Sequence, residues 1–154
     1  MAQVYGWHGD LDRSVQQAEA AVAMSPYDAE LRSTLSAFVG NAGKLDEATE
    51  WASWAAAHDE QKGTEIKINL AWANYLAGRA EEAIKYMKGI DTSAPDIAAA
   101  ALAHVWRPDE AAAVVADWRK TGPYSIATAS CWQIKEPMKS MYLDDLRKAG
   151  LPEK

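Results

Sequence analysis

Small and apolar residues recur along this chain at intervals of three and four, in blocks punctuated by glycine and proline. Ala48, Ala52 and Ala55 make one such stripe; Met138, Met141, Tyr142, Leu146 and Ala149 make another. Alanine-rich stretches such as "QQAEAAVAM" and "DEAAAVVADW" reinforce the helical reading, because alanine gives up no side-chain entropy in a helix. Strand-like alternation is nearly absent. The spacing predicts helices over 1–8, 10–24, 27–42, 45–58, 63–77, 79–90, 95–105 and 108–121, then two more over 124–135 and 137–149. For the last of these, Pro137 suits a first turn, and Gly150, Leu151 and Pro152 read as a glycine stop, an apolar latch and a block to continuation.

The punctuation is periodic. Gly9, Gly43 and Gly78 stand 34 and 35 residues apart, and each opens a similar phrase: "GDLDRS", "GKLDEA", "GRAEEA". A fourth unit, "WRPDEA", carries Trp106 in the glycine place after 28 residues. Five residues after each marker stand Ser14, Ala48, Ala83 and Ala111, and seven before come Ser36, Ala71 and Ala99. Small residues at these places let helices cross closely. Seventeen after the marker stand Pro26, Glu60, Pro95 and Pro123, where one helix must stop and the next begin. Twelve after it, Ile90 and Trp118 replace the small residues seen at Ala21 and Ala55, which predicts irregular packing in the third and fourth units.

Over residues 1 to 122 this grammar resembles the tetratricopeptide repeat, whose unit is a pair of antiparallel helices. The resemblance implies an all-α fold: a right-handed α-α superhelix of about 3.5 hairpins in one domain over 1–154, its end covered by a C-terminal capping helix. The first hairpin is expected to be incomplete, because Gly9 calls for a longer helix than the eight residues before it; an upstream segment or a second copy would then cover the open face. "DDLRKAGLPE" looks like the tail of tetratricopeptide regions in bacterial class III nucleotide cyclases, which implies a bacterial signalling context but no catalytic domain within this chain.

Composition narrows the function classes. A net charge of −6, from 16 Lys+Arg against 22 Asp+Glu, disfavours nucleic acid. No window approaches the ~20 apolar residues of a membrane span. A lone Cys131 permits no intrachain disulfide, and the N-terminus lacks the pattern of a signal peptide, so a cytoplasmic protein is expected. His8, His58 and His104 fall in separate repeats without metal-ligand spacing, and Cys131 in "ASCWQI" reads as a packed thiol. No phosphate-loop glycine pattern is present. Neither catalytic residue, cofactor nor metal is expected.

If the hairpins stack as the resemblance implies, the first helix of each unit lines a concave groove. Trp7, Glu30, Thr34, Asn41, Glu65, Asn69, Trp72 and Tyr75 then become the candidate partner-binding residues. Ser33, Ala37, Ile68 and Trp72 stand where a clamp for an acidic chaperone tail needs cations, so that ligand is disfavoured. The expected partner is a protein or peptide, apolar and neutral to basic. Trp51 and Trp54 lie off the alanine stripe of their helix and mark an exposed face for self-association, as in a homodimer. The competing expectation is a regulatory segment of a nucleotide cyclase-type enzyme.

Overall fold

The structure, a computed structural model, describes residues 1–59, 63–90 and 92–154. Glu60, one of the punctuating positions, lies outside the described residues. Among those described there are ten helices and no strand: α1 (Ala2–Trp7), α2 (Leu11–Met24), α3 (Ala29–Asn41), α4 (Leu45–His58), α5 (Thr64–Leu76), α6 (Ala80–Met87), α7 (Pro95–His104), α8 (Pro108–Trp118), α9 (Ile126–Ala129) and α10 (Met138–Lys148). The first eight pack as four neighbouring pairs. Helices α1, α3, α5 and α7 also touch in series, while α2, α4 and α6 each lean on the odd-numbered helix that follows. The result is a row two helices deep.

The repeated phrase has a backbone cause. Gly9, Gly43 and Gly78 sit at φ +82°, +90° and +75°, in the left-handed region that terminates a helix most cheaply when no Cβ is present. The Gly43 N–H bonds to the Gly40 carbonyl at 2.9 Å, and the Lys44 N–H reaches back to the Val39 carbonyl at 3.2 Å. The same six-to-one closure links Asp10 to Tyr5, Arg79 to Asn74 and Arg107 to Leu102, so otherwise orphaned carbonyls are satisfied at each turn. The even-numbered helices start immediately afterwards, at Leu11, Leu45, Ala80 and Pro108. Acids in their first turns, such as Asp46 and Glu47 or Glu81 and Glu82, complement the positive end of the helix dipole. Each phrase is therefore a stop and a start written together.

Packing explains the small residues. Ser14, Ala48, Ala83, Ala111, Ser36, Ala71 and Ala99 are all completely buried. The approach is close enough that a Cβ on Gly40 would stand 3.3 Å from that of Ala48, and one on Gly6 would overlap the Phe38 ring at 2.5 Å. Two apolar clusters result, a smaller one joining α1 to α5 and a larger one running from α5 to the C-terminus.

Two expectations change, one in the C-terminal part and one on α4. The helix predicted over 124–135 is a single turn: Ser125 and Thr128 cap its start reciprocally, and its first N–H groups bond outward, Ile126 to the Pro152 carbonyl at 2.8 Å and Ala127 to that of Glu153. Beyond Ser130 the chain pairs its Lys135 N–H with the Asn41 carbonyl at 2.8 Å, so a tertiary bond replaces helical ones in a sequence whose β-branched residues resist helix weakly. Helix α10 packs on α7, in the last of the four pairs, and on α9. Trp51, expected outside, is buried in the smaller cluster, because α4 contacts both α3 and α5 and so needs a wider apolar arc than its alanine stripe.

Trp106 occupies the glycine place at φ +60° with 83% of its surface exposed. A non-glycine residue there costs about 1–2 kcal/mol, partly offset by the greater chain entropy glycine loses on folding. Trp106→Gly is expected to stabilise the fold by ~0.5–1 kcal/mol, and Gly43→Ala to destabilise it by at least as much, both measured by urea unfolding.

Candidate functional site

After α8 the chain turns back over the odd-numbered helices instead of leaving the row. Gln133 lies against Gly9, Lys135 and Met138 lie against Gly43, and α10 meets α5 and α7. This return converts an open face into a bounded cleft of about 540 Å³. Its walls come from α1 (Gln3, Trp7), α3 (Thr34, Ala37, Phe38, Asn41), α5 (Glu65, Ile68, Asn69, Trp72), the start of α7 (Pro95 to Ile97) and the returning chain (Tyr124, Trp132, Tyr142), with Trp118 at the end of α8.

Of the residues the sequence nominated, Trp7, Thr34, Asn41, Glu65, Asn69 and Trp72 line this cleft. Trp72 is held there by an Nε1–H bond to the Asn41 side-chain oxygen at 2.8 Å, and Asn69 donates to the Ser33 hydroxyl at 3.1 Å. Both amides expected to face a ligand thus spend hydrogen-bonding capacity inside the protein. Glu30 is exposed on the first turn of α3, away from the cleft lining. Tyr75 is fully buried, which removes it as a contact surface. Trp54 is half-buried: the Arg32 guanidinium stands 4.2 Å above its ring and His58 stacks on it at 4.0 Å. Cys131, read as a packed thiol, is exposed, because the helix that was to bury it ends at Ala129.

Tyr75 is part of a polar lock the sequence did not reveal. Its hydroxyl donates to Asp145 Oδ2 at 3.0 Å, His104 Nδ1 lies 2.7 Å from the same oxygen, and Lys148 Nζ reaches Oδ1 at 2.8 Å. Asp145 is 1% exposed, so these partners replace the water it has lost. Burial first, and then the adjacent carboxylate, raise the Tyr75 pKa far above the ordinary phenol value, keeping the hydroxyl a donor. Trp72, Tyr75 and Tyr142 pack around the lock, with the Trp72 and Tyr142 rings edge-to-face at 5.3 Å.

A second carboxylate serves the cleft itself. Asp96, in the first turn of α7, accepts the Tyr142 hydroxyl at 2.9 Å. Burial raises its pKa above the ordinary carboxylate value, against the opposing pull of that hydrogen bond and of first-turn backbone N–H groups. Trp118 and Tyr124 stack at 4.7 Å beside it in the lining. The one sequence signal for this wall was Trp118 standing where a small residue was due; Tyr124, Trp132 and Tyr142 gave none, because their place depends on the chain doubling back. Among the described residues, no three of His, Cys, Asp and Glu gather as a metal site, and no helix is long and apolar enough to cross a membrane.

The chain matches no family model and no curated protein.

Asp145→Ala would leave Tyr75 and His104 facing an empty position and is expected to cost about 2–4 kcal/mol in chemical unfolding, with α10 losing hydrogen-exchange protection before α1–α4. For Asp96, the raised folded-state pKa means that the native state holds its proton more tightly than the unfolded chain. Its stabilising contribution is therefore full below the unfolded value and lost as pH rises through the folded one. Melting curves of Asp96→Asn against the parent should show the parent's relative stability falling with rising pH across that window and level above it.

Proposed function

We propose that this protein is a non-catalytic binding module of the tetratricopeptide-like solenoid class, whose cleft receives a short apolar segment of a protein partner. The solenoid reading is supported by left-handed turns at Gly9, Gly43 and Gly78 in phase with the repeat, and by odd-numbered helices that touch in series. What carries the binding reading is the cleft: about 540 Å³, within the ~300–1,000 Å³ of ligand-binding pockets, and walled by seven aromatic side chains (Trp7, Phe38, Trp72, Trp118, Tyr124, Trp132 and Tyr142). Rings with few rotatable bonds bury large area at low entropic cost, which is why aromatic residues dominate the energetics of protein interfaces.

The C-terminal return limits what fits. A long peptide laid along the whole row would meet α10, whereas a segment of a few residues can enter beside it. Trp7 and Trp132 stand at the mouth with 67% and 53% of their surfaces exposed, more than a folded chain needs for its own packing.

The test is selection of random dodecapeptides on the immobilised protein, followed by titration of the selected sequences against Trp132→Ala. Binding is expected to weaken at least tenfold with the melting temperature unchanged. Failure to select any peptide, or selected peptides indifferent to Trp132→Ala, would refute the reading.

A further inference from the structure

The charge of the cleft is as one-sided as its polarity. Among the described residues, its lining contains two carboxylates, Glu65 and Asp96, and no lysine, arginine or histidine. The two acids differ in setting. Glu65 is exposed in the first turn of α5, while Asp96 is half-buried and oriented by the Tyr142 hydroxyl at 2.9 Å. Asp96 also fills the N-terminal end of α7, so the anion that a helix start would attract is already supplied by the protein, and a second one would be repelled. The surrounding rings add negative potential at their faces, which attracts cations and is indifferent to neutral groups. Protein cations come near other aromatic rings: Arg32 covers Trp54, and Arg13 stands 5.8 Å from the centre of the Tyr5 ring. Among the described residues, the rings of the cleft have no such partner in its lining.

Resting on the binding reading above, we infer that the segment entering the cleft carries a basic side chain, lysine or arginine, whose apolar stem lies along the Trp72 and Trp118 walls and whose charged head is taken by Asp96 and Glu65. A long stem with a charged tip suits such a wall, since its methylenes bury on apolar surface while the head keeps a polar partner. An acidic segment would bring its charge against two carboxylates, and a wholly neutral one would leave the Asp96 carboxylate with no new partner as water is displaced.

The experiment uses the dodecapeptides selected on the intact protein. Each is resynthesised with its basic residue replaced by glutamine, and each is titrated against the parent protein, Glu65→Gln and Asp96→Asn at 50 and 500 mM salt, by ~tenfold steps in peptide concentration. Enrichment of one basic position is expected, with at least tenfold weaker binding on its replacement or with Asp96→Asn. A smaller loss is expected with exposed Glu65→Gln, and weaker binding at high salt. Selected peptides without a basic residue, or peptides that bind Asp96→Asn as tightly as the parent, would overturn this inference and leave the binding reading standing. If no peptide is selected, both fall. Phenyltrimethylammonium serves as the separate small-molecule arm: saturable quenching of tryptophan fluorescence by it, in a protein that takes no peptide, would assign the cleft to a free organic cation and overturn the peptide source.

Discussion

A carboxylate withdrawn from water organises the face on which the chain folds back over the odd-numbered helices. The Asp145 oxygens lie inside the fold, where hydrogen-bonding groups must replace lost water, and those groups are Tyr75 on α5, His104 on α7 and, one turn further along α10 itself, Lys148. The arrangement forms only when the last helix lies across the odd-numbered ones. Apolar packing alone would tolerate sliding of α10 along an alanine-rich surface. Directional bonds to a buried carboxyl group select one position, and with it the position of Tyr142, which in turn orients Asp96 and abuts Trp72. The cleft is what remains uncovered once that position is taken.

The row beneath follows a simpler constraint. Alanine-rich helices have little apolar area per residue, so they gain enough burial only by close approach, and the repeat positions from Ser14 to Ala111 that meet at the crossings are small. Close approach in turn demands tight turns, and the left-handed glycines provide them while satisfying the carbonyls each helix end leaves open. Trp106 breaks this economy at the fourth turn, holding a strained conformation with an indole that packs against little.

Local rules were legible along the chain wherever the physics is local. The helix bounds from α2 to α8 lie within about three residues of those the spacing predicted, because capping, turn geometry and helical periodicity are decided within a few residues of sequence. Six nominated groove residues meet in one cleft for the same reason: a fixed period places equivalent side chains on equivalent faces. The misses have a common cause of the opposite kind. Trp51 is buried by a second neighbour, Tyr75 by a helix 70 residues away, and Cys131 is exposed because its segment bonds to α3 and the C-terminus instead of to itself. Tyr124, Trp132 and Tyr142 could be read as apolar residues, yet nothing nearby in sequence says which helices they will face.

By itself, then, the order of residues determined the helices, their pairing and the phase in which small side chains meet, since each of these is settled by backbone geometry and by contacts between adjacent elements. The folded chain as a whole settles that the final thirty or so residues fold back over the row, that Asp145 is buried beside Tyr75, His104 and Lys148, and that an open face becomes a bounded aromatic cleft carrying Glu65 and Asp96. Those outcomes rest on contacts between residues far apart in the chain, where the free energy of burying a charge or an aromatic ring depends on what the rest of the fold has left exposed.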